Sequence, residues 1–375
     1  MNVFVVPHHG PFRLNGLRVD LWERRAGMSH LTYAEAGVVG LLQGITELFP
    51  VSSLGHAVLI PAIVGGQWAQ DLDVSKAESP YLAYIVGLHV ATAAAMILYF
   101  WRDWLRIVKA FFASIGHVMA PAPGTRRFEP QNVDQTLAWM IILATIPVGL
   151  AGLALEHAFR VYFSRPVLTA SFLFCNGLIL LAGERARRRS ADMEAQEIAA
   201  DVQAVSERQK AAVAAGASGG GGRHSSGQRA LKQQHANLAV EADGRITRRV
   251  GWLGAFGLGA SQILALLPGI SRDGTVMVTG MFRGLSRQDA ARFSFLLSAP
   301  VILAAGVLKI PDLTGPLGAG IRGQVLFGSA LSFVGAYFSL RFLVRYFSNP
   351  KRTLTPFAIY CLVAGLAAAI YLSVR

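Results

Sequence analysis

Long apolar runs alternate with short polar clusters along this chain of 375 residues. Six runs, at roughly 81–100, 137–156, 166–183, 293–310, 323–343 and 355–373, each approach the ~20 residues a helix needs to cross a hydrocarbon core. The pattern predicts six spanning helices. Two other apolar stretches, 34–63 and 251–283, are interrupted near the middle. The first breaks at Pro50, followed by Ser52 and Ser53; the second breaks at Pro268, followed by Ser271, Arg272 and Asp273. Each flank holds only about 10–17 residues, too few to span. Irregular backbone at membrane depth survives only where protein or a wet cavity satisfies its polar groups. Two re-entrant helical hairpins are expected, with kinked spanning helices as the plainer alternative.

The interrupted stretches resemble one another. Gln43 stands seven residues before Pro50 and Ser52 two after it; Gln262 stands six before Pro268 and Ser271 three after it. Three long apolar runs follow each. The expected fold is an all-α polytopic membrane protein, an inverted repeat of two units, each a re-entrant hairpin plus three transmembrane helices. An odd number of spans per unit turns the second copy upside down. The divisions are an N-terminal tail at 1–31, a first membrane repeat at 32–183, a polar cytoplasmic linker at 184–250 and a second repeat at 251–375. The linker reads as flexible, with a frayed helix at 190–215 and a Gly-rich tract at 216–227.

Composition agrees with a bilayer. Apolar residues make up 53% and charged residues 15%, against about 25% charged in soluble domains. This excludes a cytosolic enzyme, a secreted scaffold and a disordered chain. Cys175 and Cys361 both lie in apolar runs, so neither a disulfide framework nor a zinc site is expected. The net charge of +13 invites nucleic acid as a partner. No basic stripe interleaves with aromatics, so that partner is set aside. Loop charge instead sets orientation. The side holding 101–136, 184–250, 283–292 and 341–354 carries 24 Lys and Arg, against 10 on the other. Without the long linker the balance is 12 to 10, and 12 to 6 if the chain starts at Met28. Both termini are expected outside.

The first polar cluster runs from Gln43 through Glu47 and Pro50 to Ser52, Ser53 and His56. Ionisable residues in a membrane segment are costly and are functional candidates by default. A helix starting at Ser52 or Ser53 would make Ser53 and His56 neighbours at i, i+3, a plausible nucleophile and base. The plainer alternative is a capped kink with the His bonded to backbone. The second cluster holds Ser271, Arg272, Asp273, Gly274 and Thr275. A guanidinium in an apolar region needs an anionic partner, and a phosphate suits its planar fork. Free amides at a helix start would face the same anion. An internal Arg272–Asp273 or Arg272–Glu47 pair is the plainer alternative. Together the clusters describe a site for a phosphate on an apolar tail.

The run QGITELFPVSSLGH resembles the pattern (E/Q)GxTEFLPVSS(S/T)GH. The run PGISRDGTVMVTGMFRGLSRQDAARFSFLLSAPVILAAG resembles PGxSRSGAT and its continuation, and the ending FAIYCLVAG is similar as well. These patterns belong to the undecaprenyl-diphosphatase family, the bacitracin-resistance phosphatases. The resemblance covers roughly 34–183 and 250–373. It implies hydrolysis of undecaprenyl diphosphate to undecaprenyl phosphate, recycling a lipid carrier for wall polymers, on the re-entrant fold above. Glu47 matches the family's essential acid, Gln43 the Glu/Gln before it, Ser52, Ser53 and His56 the Ser-Ser-His run, and Ser271 and Arg272 the Ser-Arg pair. Three positions depart: Leu54 replaces a Ser/Thr, Asp273 a Ser, and Val276 a Thr, with Thr275 one position early.

The implied catalytic set is Glu47, Ser53, His56 and Arg272, with Gln43, Ser52, Ser271, Gly274 and Thr275 around the substrate. Arg272 and the helix starts would clamp the diphosphate while Ser53 or a water attacks. His56 would move the proton. Glu47 would orient the nucleophile or, with Asp273, hold a divalent cation such as Mg2+ or Ca2+. The expected partners are the polyprenyl diphosphate and membrane lipids; a homodimer is allowed by the sequence and not required. The alternative function is a polyprenyl-phosphate flippase, which needs the Arg and the helix dipoles without an acid and a nucleophile.

Overall fold

The computed structural model describes residues 31–73, 80–119, 129–163, 165–213, 227–314 and 320–374. These form twelve α-helices and no strand. Helices α1 (Tyr33–Leu48) and α2 (Ser53–Val64) are the arms of the first interrupted stretch, followed by the short α3 (Gly66–Asp71). Then come α4 (Pro80–Tyr99), α5 (Trp101–Met119), α6 (Val133–Phe163) and α7 (Pro166–Val213). Helix α8 (Gly227–Ser261) continues through a 3-10 turn (Gln262–Leu266) to the second break and α9 (Arg272–Phe282). Helices α10 (Arg287–Thr314), α11 (Arg322–Phe347) and α12 (Thr355–Val374) complete the chain.

The breaks follow from local chemistry. Helix α1 opens on a capping box, in which the Glu35 amide donates to Thr32 Oγ1 at 3.2 Å and the Thr32 amide to Glu35 Oε2 at 2.8 Å. It stops at Leu48 because Phe49, next to Pro50, is extended. Helices α2 and α9 both restart on a serine cap: Ser52 Oγ accepts from the Gly55 amide, and Ser271 Oγ from the Gly274 amide.

Among the described residues, five helices are long and apolar enough to cross a membrane: Val133–Leu155, Pro166–Arg189, Arg287–Leu308, Arg322–Phe347 and Thr355–Val374. The sixth expected span, 81–100, falls on α4. It passes that test only together with α5, which turns away from it by 86°. Helix α5 exposes Trp101, Leu105, Val108 and Phe112 along one stripe, while Ile107 and Ser114 are buried on the other side. The long helices expose large apolar side chains such as Leu153, Phe338 and Val363, as lipid contact requires.

Close packing rests on small residues. A Cβ at Gly40 would lie 2.8 Å from the Gly328 Cα, and one at Gly44 2.9 Å from the Ala336 amide, so α1 and α11 touch backbone to backbone. Gly259 on α8 meets Ala144 on α6 the same way, and Gly177 on α7 meets Ala358 on α12. Helix α4 packs on α10 and α11.

The segment expected as a linker over 184–250 does not behave as one unit. Helix α7 runs on to Val213, and α8 begins at Gly227. Asp243, Ile246 and Val250 are fully buried. Asp243 accepts from Arg106 and from Arg292, the latter at 2.8 Å, and Asp103 accepts from the same two arginines at 3.1 and 2.9 Å. Asp134 pairs with Arg106 as well. The last part of the expected linker is therefore packed, because it supplies the carboxylate that neutralises two arginines shared by α5 and α10. Helix α8 changes direction at Gly251, whose φ of 63° suits glycine alone. Residues 1–30 and 214–226, which hold most of the tail and the glycine tract, lie outside the described residues.

Candidate active site

The two breaks meet. Ser52 Oγ accepts from the Gly269 amide at 3.1 Å, and a Cβ on Gly55 would lie 2.9 Å from the Gly269 Cα. Gly269 has φ 111° and sits against Leu173 and Thr169 of α7, leaving no room for a side chain. Ser52 itself holds φ 69°, a left-handed conformation that costs a non-glycine residue about 1–3 kcal/mol. Its two accepted hydrogen bonds offset that cost.

Both helix starts thereby converge on one carboxylate. Glu47, at the last turn of α1, is 7% exposed. Its Oε1 accepts from Arg272 at 2.5 Å. Its Oε2 accepts from Gln43 Nε2 at 2.8 Å and from the Ser53 hydroxyl in a short bond. His89 of α4 brings its Nε2 to 3.5 Å from the same oxygen. Burying a lone carboxylate this far from water would cost several kcal/mol. Here its two oxygens accept three hydrogen bonds, from Arg272, Gln43 and Ser53. Arg272 Nε is buried without a partner, so the guanidinium keeps donor capacity beyond Glu47.

The sequence expected Ser53 and His56 to pair. They line one pocket together with Gln43, Val39 and Tyr81, yet the hydroxyl bonds to Glu47 and the imidazole turns elsewhere. His56 Nδ1 lies 2.7 Å from the Ser52 carbonyl, and its Nε2 2.7 Å from the Tyr360 hydroxyl of α12. With Nδ1–H donating to the carbonyl, Nε2 accepts from Tyr360, and the two rings stack at 8°. The reason is helical spacing: the Ser52 carbonyl is four residues before His56 and directly beneath it. The proton acceptor facing Ser53 is thus Glu47. Likewise Arg272 meets Glu47 across 225 residues of sequence, the internal pair weighed above as the plainer alternative.

The remaining predicted residues have internal bonds. Ser271 and Gly274 form the α9 cap. Thr275 donates to the Arg272 carbonyl at 2.8 Å. Asp273 points to α10, where its Oδ1 accepts from Ser294 at 2.8 Å and Ser298 at 2.5 Å; its Oδ2 is buried without a partner. Asp273 and Glu47 therefore make no joint cradle. Among the described residues no three His, Cys, Asp or Glu side chains converge to hold a metal. Mg2+ and Ca2+ take about six or more oxygens, whereas both oxygens of Glu47 already serve Arg272, Gln43 and Ser53. This donor set does not fit a resident divalent ion.

Two residues of the site were not picked out in the sequence. His89 is a lone imidazole in an apolar run, which was a signal, since an ionisable group at that depth is expensive. Asn176 of α7 is fully buried and joins both breaks. Its Nδ2 donates to the Pro50 carbonyl at 2.9 Å and its Oδ1 accepts from the Ser271 amide at 3.0 Å. Nothing local in the sequence marks it.

Residues 36–227 and 228–367 match the profile described as bacitracin resistance protein BacA. The chain is 54% identical to an undecaprenyl-diphosphatase of Mycolicibacterium paratuberculosis, over 92% of this chain and 99% of the relative. It shares the same identity and coverage with an undecaprenyl-diphosphatase of Mycobacterium avium. With undecaprenyl-diphosphatase 2 of Chromobacterium violaceum it is 33% identical over 90% of this chain and 98% of that protein.

Proposed function

The chain belongs to the bacitracin resistance protein BacA family, and from that premise we propose that the polar cluster between its two helix breaks is a phosphatase site. The protein is a multi-pass membrane hydrolase that converts undecaprenyl diphosphate to undecaprenyl phosphate and inorganic phosphate. It returns the lipid carrier to cell-wall synthesis and confers resistance to bacitracin.

One observation carries the chemistry: a hydroxyl, a carboxylate and a guanidinium from three helix ends meet at Glu47. Arg272 turns its open donors to the diphosphate, supported by the first free amides of α2 and α9. Releasing Glu47 Oε1 leaves Oε2 on Ser53 as the proton acceptor. Ser53 Oγ then attacks the terminal phosphorus, the bridging P–O bond breaks, and undecaprenyl phosphate leaves with the electron pair. Water hydrolyses the serine phosphate by the same route. The protein supplies position and charge, which is most of what phosphoryl transfer asks for. His56 and Tyr360 hold the strained Ser52 turn rather than touching the reacting atoms. Any Mg2+ or Ca2+ belongs to the diphosphate as part of the substrate.

We read the fold as an inverted repeat with two re-entrant hairpins. What supports this is an exchanged packing pattern: α1 of the first unit packs on α11 of the second, while α8 of the second packs on α6 of the first. Between the units, α4 pairs with α10 and α7 with α12. On the charge count the termini and the active site face outward, with α5 lying along the inner interface. A single cysteine at Gly65, with Cys175 and Cys361 replaced, should react with an impermeant reagent in intact cells; protection there would reverse the orientation.

The decisive assay for the function is phosphate release from undecaprenyl diphosphate by the purified chain in detergent. A pure carrier releases none. Loss of release in Glu47→Gln with the fold intact supports the site.

A further inference from the structure

His89 has no part in the chemistry described so far, yet it stands against the proton acceptor. Its Nδ1 lies 2.8 Å from the Ile85 carbonyl one turn earlier on α4. A carbonyl only accepts, so Nδ1 carries a hydrogen and the neutral ring presents a lone pair at Nε2. That lone pair faces Glu47 Oε2 at 3.5 Å and Gln43 Nε2 at 3.2 Å. Gln43 donates to both Glu47 Oε2 and His89 Nε2, and so ties the two acceptors together. The Ser53 hydroxyl donates to that same oxygen. One carboxylate oxygen thus has the proton source on one side and an imidazole lone pair on the other.

Catalysis needs such an outlet. When Ser53 attacks, its proton passes to Glu47. A protonated Glu47 cannot serve the second half-reaction, in which an incoming water must lose a proton. Arg272 does not help, since a guanidinium cannot accept one. The Glu47 side chain is 4% exposed and that of His89 27%, which makes His89 the better placed of the two to pass a proton outward.

We propose that His89 is a proton-relay residue acting through Glu47, taking at Nε2 the proton that Glu47 removes from Ser53 and passing it to solvent. The inference rests on the phosphatase reading above. The step balances: the Ser53 O–H bond breaks as Oγ bonds phosphorus, the electron pair of the P–O bond leaves with undecaprenyl phosphate, and the proton goes by Glu47 to His89. In the second half, water bonds phosphorus and gives its proton to the emptied Glu47, which returns it to the Ser53 oxygen as that oxygen leaves phosphorus, so only the first half sends a proton to His89. The imidazolium formed is stabilised by the carboxylate it faces.

The charged and titratable groups around His89 come from three helices. Glu47 comes from α1, Arg272 of α9 sits on the other oxygen of Glu47, and His56 of α2 lines the pocket beside Gln43 and Ser53. Helices α10 and α11 also pack on α4, but they bring Arg292 and Tyr337 to its far end, at Phe100 and Tyr99.

The test measures kcat and KM for phosphate release by the full-length protein across about pH 5–8, where imidazoles titrate. Wild type is compared with His89→Gln, which keeps a hydrogen-bonding amide beside Gln43, and with His89→Ala with and without added imidazole. A relay predicts that His89→Gln lowers kcat about a hundredfold with KM nearly unchanged, and flattens the acidic limb of the kcat profile. Imidazole should restore turnover to His89→Ala in proportion to its neutral fraction. A His89→Gln enzyme with wild-type kcat and an unchanged pH profile overturns the inference and leaves the phosphatase intact. So does a folded His89→Ala that imidazole does not rescue. If wild type itself releases no phosphate, the function falls and the relay with it.

Discussion

Replacing Asn176 by Leu should separate the two halves of the site while touching neither catalytic side chain. The two side chains share one branched heavy-atom skeleton, with Leu the bulkier, so the change removes both hydrogen bonds while keeping the shape. Asn176 is fully buried, and its amide serves the Pro50 carbonyl at 2.9 Å and the Ser271 amide at 3.0 Å. Stripping both leaves the buried Ser271 amide unpaired and the Pro50 carbonyl with only the weak Cys361 thiol donor at 3.9 Å, at about 1–3 kcal/mol each. The breaks then shift to find other partners. Ser53 lies three residues after Pro50, and Arg272 directly follows Ser271, so their spacing changes first. A displacement near 1 Å is enough to cost about a hundredfold in rate. The expected result is a fall in kcat of about that size, with KM changed far less, because the apolar tail of the substrate binds elsewhere. Steady-state phosphate release in detergent measures both, alongside a thermal melt. Asn176→Asp sharpens the test: its protonated form donates to Pro50 and accepts from Ser271 as the amide does. Its activity relative to wild type should rise as pH falls. If Asn176→Leu keeps kcat within about threefold, the two breaks are held in register by something else and the reasoning fails.

Arg272→Ala should cut kcat/KM tenfold or more while the protein still inserts, since a charge-assisted contact is worth about 1.5–3 kcal/mol; retained activity would remove it from the clamp. Asp243→Ala strips one carboxylate from Arg106 and Arg292 while Asp103 still pairs both, and should lower stability by about 1.5–3 kcal/mol in a denaturation series, with kcat little changed in the protein that remains folded. Deleting 190–226 with a short Gly/Ser bridge should preserve activity, whereas a deletion extended to 245 should not fold, because it removes the packed segment that carries Asp243. Equal behaviour of the two deletions would contradict the packed placement of 239–250.

What was readable in the sequence was local. Proline followed by serine marked both breaks, because a missing amide and a capping hydroxyl act within a few residues. The need of Arg272 for an anion was readable too, though the resting partner turned out to be Glu47. Contacts between distant elements were not readable. Asn176 lies 126 residues from Pro50 and 95 from Ser271, and its own surroundings are ordinary apolar helix. His89 was visible as an ionisable residue in a span, but only the packing of α4 against α1 gives it Glu47. The Ser53–His56 pairing failed for a different reason: i, i+3 spacing permits contact, and the backbone carbonyl at i−4 competed for the same ring. The linker was misjudged at its end because Asp243 and its arginines look like solvated charge until the bundle brings them together.

The most direct measurement concerns the nucleophile. Wild type is mixed with undecaprenyl diphosphate carrying ³²P at the terminal phosphorus, quenched in acid within the first turnover, and the label located by peptide mapping. The geometry, with the Ser53 hydroxyl on Glu47 and Arg272 opposite it, predicts a transient phosphoserine at Ser53. That label should be absent in Ser53→Ala and should accumulate if water attack is slowed. Rapid turnover in wild type with no protein-bound label, together with near-normal turnover in Ser53→Ala, would contradict it.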